Sequence, residues 1–176
     1  MKSIKGQFSK ALRAGLRMGQ EILYTGTIYT ARDQAHKRLA ELIKKKKRLP
    51  IDLKDAIIYY CGPTPSKFKN KLGSAGPTTS LRMDKFTPLL LRHGVGAFIG
   101  KGNRSKEVVK AIKKHSALYF IAVGGAGAYL SRRIKKAKAI AFTDLGPEAI
   151  YRLEVREFPL TVAIDVRGKN IYGGDK

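Results

Sequence analysis

Gly76-Pro77-Thr78-Thr79-Ser80-Leu81-Arg82-Met83-Asp84 sets three hydroxyls and a guanidinium within nine residues. Gly-Pro opens a turn. Ser80 reads as the N-cap of a following helix, and the free N–H groups of such a start attract anions. Arg82 beside it offers a planar fork that grips a carboxylate with two hydrogen bonds. Upstream, Thr25-Gly26-Thr27-Ile28-Tyr29-Thr30-Ala31-Arg32-Asp33 runs on to His36, Lys37 and Arg38. Downstream, Ile99-Gly100-Lys101-Gly102 holds a lysine between two glycines just past a predicted strand. Taken singly, these are a turn feeding a helix, a helix start and an exposed loop lysine. Together they are hydroxyls and cations suited to a small anionic substrate.

These groups need elements to hold them. Ile22, Tyr24, Thr27 and Tyr29 are β-formers and predict a strand over 21–29. Thr30 to Asp33 has capping-box spacing, and Ala35, Leu39, Leu42 and Ile43 continue at helical intervals to about Lys47. Arg32 falls in the first turn of that helix, where a cation opposes the macrodipole unless an anion compensates. Either Asp33 or a bound carboxylate fills that role. His36 follows on the same face, four residues on. It reads as a support behind Arg32. Short strands are expected over 57–61, 95–99 and 118–123, and helices from Ser80, interrupted at Pro88, and over 105–114. A further helix is expected to about Lys136, then strands over 139–142, 149–155 and 160–166. Residues 7–18 suit a short basic helix. Strand and helix alternate through the middle, which implies a partly parallel sheet with right-handed crossovers. The C-terminal strands lack intervening helices, so the sheet is expected to be mixed.

Bulk composition narrows the class. The chain has 176 residues, 43% of them apolar, enough for one domain with its own core. No run of roughly 18 apolar residues argues for a membrane span, and the basic start lacks a signal-peptide core. One cysteine, Cys61, makes no internal disulfide and reads as a small buried hydrophobe. The expected location is cytoplasmic. Lys and Arg number 36 against 13 Asp and Glu, a net charge of +23. Runs at Lys44–Arg48, Lys113–His115 and Arg132–Lys138 carry much of it. Such a field attracts small anions, an acidic partner or nucleic acid, the last weakly and without sequence choice. The runs lack interleaved aromatics and recognisable nucleic-acid signatures. Gly125-Ala126-Gly127 lacks the third glycine of a dinucleotide loop, and Val95 stands where a phosphate loop needs glycine.

The three anion-suited segments, in this order, resemble the beta subunit, or C-terminal domain, of the iron–sulfur hydro-lyases: class I fumarases and L-tartrate dehydratases. Ile57-Ile58-Tyr59-Tyr60-Cys61-Gly62-Pro63, Gly124-Gly125-Ala126-Gly127-Ala128 and Phe158-Pro159-Leu160-Thr161-Val162-Ala163-Ile164-Asp165 extend the likeness from about Leu16 to Tyr172. Leu81 departs from it, standing where relatives often carry a smaller residue. The resemblance implies a swivelling β/β/α domain with a mixed, partly parallel sheet flanked by helices, filling residues 1–176 with a loosely packed extension over 1–15. It implies Arg32, Arg82 and Lys101 as ligands of a small dicarboxylate. Thr78 is the candidate proton-transfer group, with Thr79 and Ser80 as hydrogen-bonding neighbours; Asp33, His36, Gly100 and Gly102 support the ligands. It further implies a [4Fe–4S] cluster. A cluster takes about three or four thiolates, so one cysteine cannot hold it. The implied holder is a cysteine-bearing alpha subunit in an alpha2beta2 enzyme, active on fumarate in the tricarboxylic acid cycle or on tartrate. A basic nucleic-acid-binding module is the rival from another class.

Overall fold

The computed structural model describes residues 1–64, 66, 72–122 and 127–173. Its organising strand is β2, Glu21–Thr30, which follows β1, Lys2–Lys5, and α1, Lys10–Ala14. Alternate β2 side chains, Ile22, Tyr24 and Ile28, are fully buried, as a strand with one core face requires. β2 pairs in parallel with β1 and with β3, Ile57–Tyr59. β3 then pairs with β4, Ala97–Gly100, and β4 with β5, Leu118–Ile121, all parallel. The three inner strands are continuous apolar runs because both their faces are covered. On one face Tyr59, Ile99 and Phe120 meet Phe158 and Val162. On the other, Ile58, Tyr60, Phe98 and Tyr119 pack against Leu39, Leu90 and Ile112 from three helices. These are α2 (Asp33–Lys44), α3 (Thr87–Arg92) and α4 (Lys106–His115).

The last strand closes the sheet. After α5, Gly127–Arg133, and β6, Ile134–Ala141, the chain forms β7, Ile150–Ile164. β7 runs antiparallel to β6, β2 and β5 at once, so the order β1-β2-β3-β4-β5-β7-β6 returns through β7 to β2. Among the described residues the sheet has 7 strands, and it is partly parallel and flanked by helices, as expected.

Several local expectations give way. The predicted strands over 149–155 and 160–166 are one strand. Glu157 takes a positive φ of 50°, its N–H donating to Thr25 Oγ1 at 2.9 Å, and Pro159 lies within the ladder opposite Leu23. That kink lets one strand serve β6 first and β5 later. The helix expected to reach Lys136 stops at Arg133, because Ile134 and Ala137 are buried against β7 while Lys135, Lys136 and Lys138 face solvent. Thr30 caps nothing. Its hydroxyl donates to the Ala149 carbonyl at 3.4 Å and accepts from Tyr151 N–H at 3.0 Å, leaving Arg32 as the α2 cap residue without a side-chain bond. The helix from Ser80 is a 3-10 turn, Ser80–Met83, followed by a fresh start with Pro88 in the first turn of α3. The N-terminal segment contributes β1 and buries Ile4, Phe8, Arg13 and Leu16. Val123 to Ala126, the end of the strand expected over 118–123 and the start of the glycine-rich loop, lie outside the described residues.

Candidate functional site

β2, β3 and β4 run side by side in the same direction, so their carboxyl ends share one edge. Arg32 lies just past β2, Gly62 past β3 and Lys101 past β4. Ligands bind at the carboxyl ends of parallel strands in open α/β sheets and in closed α/β barrels alike. The Gly76–Asp84 segment joins the same edge from outside the sheet. Thr78 N–H donates to the Tyr60 carbonyl at 2.7 Å, and Thr79 pairs with Lys101 as an isolated parallel bridge.

Ser80 is the hinge of this arrangement, not an N-cap. It is fully buried, donates its N–H to the Lys101 carbonyl at 3.1 Å and accepts the Lys101 N–H on its own Oγ at 3.1 Å. The Tyr119 hydroxyl lies 2.9 Å from Ser80 Oγ and 2.8 Å from the Gly102 carbonyl oxygen. Each hydroxyl has one proton, and a carbonyl only accepts. The consistent order is Lys101 N–H to Ser80, Ser80 to Tyr119, and Tyr119 to Gly102. Gly100 permits the approach, since a Cβ there would stand 1.8 Å from Ser80 Oγ.

Arg32 and His36 form the second arm. Arg32 leaves β2 with extended backbone (φ −116°, ψ −162°), and its guanidinium lies over Gly62, where an added Cβ would sit 2.8 Å from Nη1. Its Nε is buried without a partner among the described residues. The Arg32 carbonyl accepts both the backbone N–H of His36, at 2.9 Å, and the His36 Nδ1 proton, at 2.8 Å. That fixes the tautomer and leaves His36 Nε2 a bare acceptor, itself buried and unpartnered among the described residues. Burial, reinforced by nearby Arg104 and opposed by the Arg32 carbonyl, pushes the His36 pKa down to about 4. His36 is therefore neutral at physiological pH and braces the Arg32 turn.

The other expected ligands, Arg82 and Lys101, are exposed. Arg82 pairs with Asp33 at 3.3 Å, joining the turn to the first residue of α2, with half of its side chain in solvent. Lys101 and Leu81 are exposed, Thr79 too, while Thr78 and Gly102 are half-buried. Cys61 is buried, and burial lifts its thiol to about 12 against the opposing pull of Arg32, so it is neither a thiolate ligand nor a nucleophile at neutral pH. Among the described residues no group of three or more His, Cys, Asp and Glu is placed to hold a metal ion. A cavity of about 390 Å³ at the other end of β3, lined by Phe8, Tyr24, Asp55 and Ile57, holds none of the expected site residues.

Sequence reasoning missed the scaffold under this edge: Arg104, Asp84, Thr87, Tyr60 and Tyr119. Arg104 is 4% exposed and donates to Asp84 Oδ1 at 2.7 Å, Thr87 Oγ1 at 2.7 Å and Tyr60 Oη at 3.1 Å. The available signal was its position, directly after Gly102-Asn103 and directly before the Ser105 cap of α4.

Comparison with known proteins places the chain in a family. The family model described as Fumarase C-terminus matches residues 4–174. Fumarate hydratase class I, anaerobic, of Escherichia coli is 40% identical over 175 residues, covering 98% of this chain and 31% of that protein. Fumarate hydratase 1, mitochondrial, of Leishmania major is 41% identical over 150 residues, 84% of this chain and 27% of that protein. The chain thus spans less than a third of these relatives. A putative L(+)-tartrate dehydratase subunit beta of Methanocaldococcus jannaschii is 39% identical, with 89% of this chain matched to 84% of that protein. No helix among the described residues is long and apolar enough to cross a membrane. By the extent of the family match, and by a relative of nearly its own length, this chain belongs to the fumarase C-terminal domain family.

Proposed function

We propose that the chain is the beta subunit of a two-subunit class I fumarate hydratase, binding a dicarboxylate at the shared strand edge for reversible hydration of fumarate to L-malate. The observation that supports it most is the convergence of Arg32, Lys101 and the Thr78–Arg82 turn at the carboxyl ends of adjacent parallel strands. Two carboxylates in a closed site need about this much positive charge. Arg82 is free to serve: an exposed ion pair such as that with Asp33 contributes only about 0–1 kcal/mol, so a substrate carboxylate replaces Asp33 at little cost. Arg32, held by its backbone and by His36, and Lys101, held by Ser80, complete the clamp.

Thr78 is the proposed proton-transfer group. Its backbone is anchored to Tyr60. A hydroxyl is a poor base alone and needs a carboxylate beside it, which the alpha subunit supplies in this reading. Thr79 and Ser80 hold the loop around it. The chain's residues do not fit an iron–sulfur cluster: it has a single cysteine, and that one is buried as a thiol. In this reading the [4Fe–4S] cluster and its chemistry belong to the alpha subunit, in an alpha2beta2 assembly of cytoplasmic location.

A second substrate, L-tartrate, has its own support in the relative of matching length, named as a tartrate dehydratase subunit. The test is anaerobic co-purification with a cysteine-bearing alpha subunit, followed by assays on fumarate and on tartrate. Activity of the pair, with the isolated chain colourless and silent, supports the reading, and the preferred acid decides between the substrates. Metal-dependent hydratase activity of this chain alone would overturn the two-subunit reading.

A further inference from the structure

Arg104 is an expensive residue to bury. A guanidinium removed from water is tolerated only with a partner charge and full hydrogen bonding, and an apolar side chain would fill the same space at lower cost. Here it has one carboxylate, two hydroxyls and three rings. The guanidinium carbon lies 4.8 Å from the Tyr119 ring centre, 5.2 Å from that of Tyr60 and 5.8 Å from that of Phe98. Its Nη1 is buried with no partner among the described residues. What the fork accomplishes is visible in its contacts. Asp84 Oδ1 accepts from Arg104 Nε, and Asp84 Oδ2 accepts the Ser105 N–H at 2.6 Å. Asp84 ends the turn that carries Ser80 and Arg82, and Ser105 ends the loop that begins at Lys101. Arg104 thus ties one loop to the other. Its remaining contacts reach Tyr119, whose hydroxyl holds Ser80, and Tyr60, whose carbonyl holds Thr78 and whose ring packs on His36 at 5.4 Å.

We propose that Arg104 is the positioning residue of the site, setting the Arg82 turn, the Lys101 loop and the Thr78 backbone in one register through Asp84, Tyr119 and Tyr60. It touches no substrate. The inference rests on the proposed dicarboxylate site. Lysine keeps the charge but has no fork, so it satisfies Asp84 or the hydroxyls and not both.

The test compares Arg104→Lys with wild type in two ways. Amide hydrogen exchange on the full chain reads the loops directly. The Lys101 and Ser105 amides should exchange about tenfold faster or more in R104K, while the Ile99 and Phe120 amides of the inner strands keep their protection. In the complex with its alpha subunit, KM for the dicarboxylate should rise about tenfold or more with a smaller change in kcat, since the clamp is misplaced and not removed. Unchanged exchange at Lys101 and Ser105 overturns the proposal. So does loosening shared equally by β4 and β5, which would make Arg104 an ordinary core residue, and so does an unaltered KM. A wild-type complex silent on both acids removes the hydratase reading instead, and the exchange comparison then still decides whether Arg104 sets the two loops. Arg104→Met is the second variant: it leaves Asp84 unpaired and should loosen the same two amides further.

Discussion

Gly100→Ala tests whether the Ser80–Lys101 clasp holds the site. A Cβ at Gly100 would stand 1.8 Å from Ser80 Oγ, 3.2 Å from Ser80 Cβ and 2.9 Å from Tyr60 Cδ2. The first contact must open by about an ångström before it is tolerable. Tyr60, fully buried against Phe98, gives no room on its side. Ser80 therefore moves, and its bonds to Lys101 N–H and Tyr119 go with it. Two such bonds contribute about 1 kcal/mol each, and overpacking adds about 1–3 kcal/mol. The expected loss is about 3–5 kcal/mol, read as a lower urea midpoint with unchanged slope. Activity of the complex with its alpha subunit should fall at least about tenfold, because Thr78, Arg82 and Lys101 all hang from the displaced turn. Gly102→Ala is the control. Nothing lies within 4 Å of its added Cβ, but Gly102 has a φ of +82°. It should lose about 1–2 kcal/mol to left-handed strain and leave the Ser80–Lys101 clasp in place. A Gly100→Ala chain within about 0.5 kcal/mol of wild type would refute the reasoning.

Arg82→Ala and Lys101→Ala should each lower kcat/KM of the complex by about two orders of magnitude or more, while Lys45→Ala and Lys46→Ala do little; equal losses from both pairs would show that the general field carries function. Thr78→Val should lower kcat with KM within a few-fold and little change in melting temperature, and a normal kcat would remove the proton-transfer role. His36 has its pKa depressed from 6.5 to about 4 by burial, so the unfolded chain binds the proton more readily. Its contribution is fully present above about pH 6.5 and is lost as the pH falls toward 4, by up to about 3 kcal/mol, a slope that should vanish in His36→Phe and whose persistence there would exclude His36 as its source. Retention on a polyanion should be weak and fall steeply with salt; tight, sequence-selective nucleic-acid binding at physiological salt would favour the rival module.

The sequence disclosed the inner strands because burial on both faces leaves a continuous apolar run, and α4 because Ser105 caps it by accepting from Val108 N–H. It disclosed less where pairing overrode local pattern. Arg132 to Lys138 has the composition of a helix end, yet partnership with β7 draws residues from Ile134 onward into a strand. Glu157 has nothing in its local sequence that announces a positive φ, because the kink serves two neighbours far away in the chain. Thr30 had the spacing of a cap and spends its hydroxyl on β7 instead.

The same division runs through the site. Residues that present charge to solvent are legible one at a time: an arginine after a strand, a lysine between glycines, a hydroxyl after Gly-Pro. Residues that hold those charges in place are legible only as pairs. Asp84 and Arg104 lie 20 apart in sequence, Ser80 and Tyr119 39 apart. Ser80 and Asp84 lie in a segment that stands out in the sequence, but nothing in that segment names Tyr119 or Arg104 as their partners. Arg104 stands in a chain with 36 lysines and arginines, most of them solvated, so type and count could not single it out. Burial narrows the field to Arg13 and Arg104, each 4% exposed, and of these two it is Arg104 that meets Asp84 and lies beside the rings of Tyr60, Phe98 and Tyr119. The Arg104→Lys comparison therefore examines the part of the site that no spacing rule reaches, and the Arg82 and Lys101 variants examine the part that spacing alone revealed.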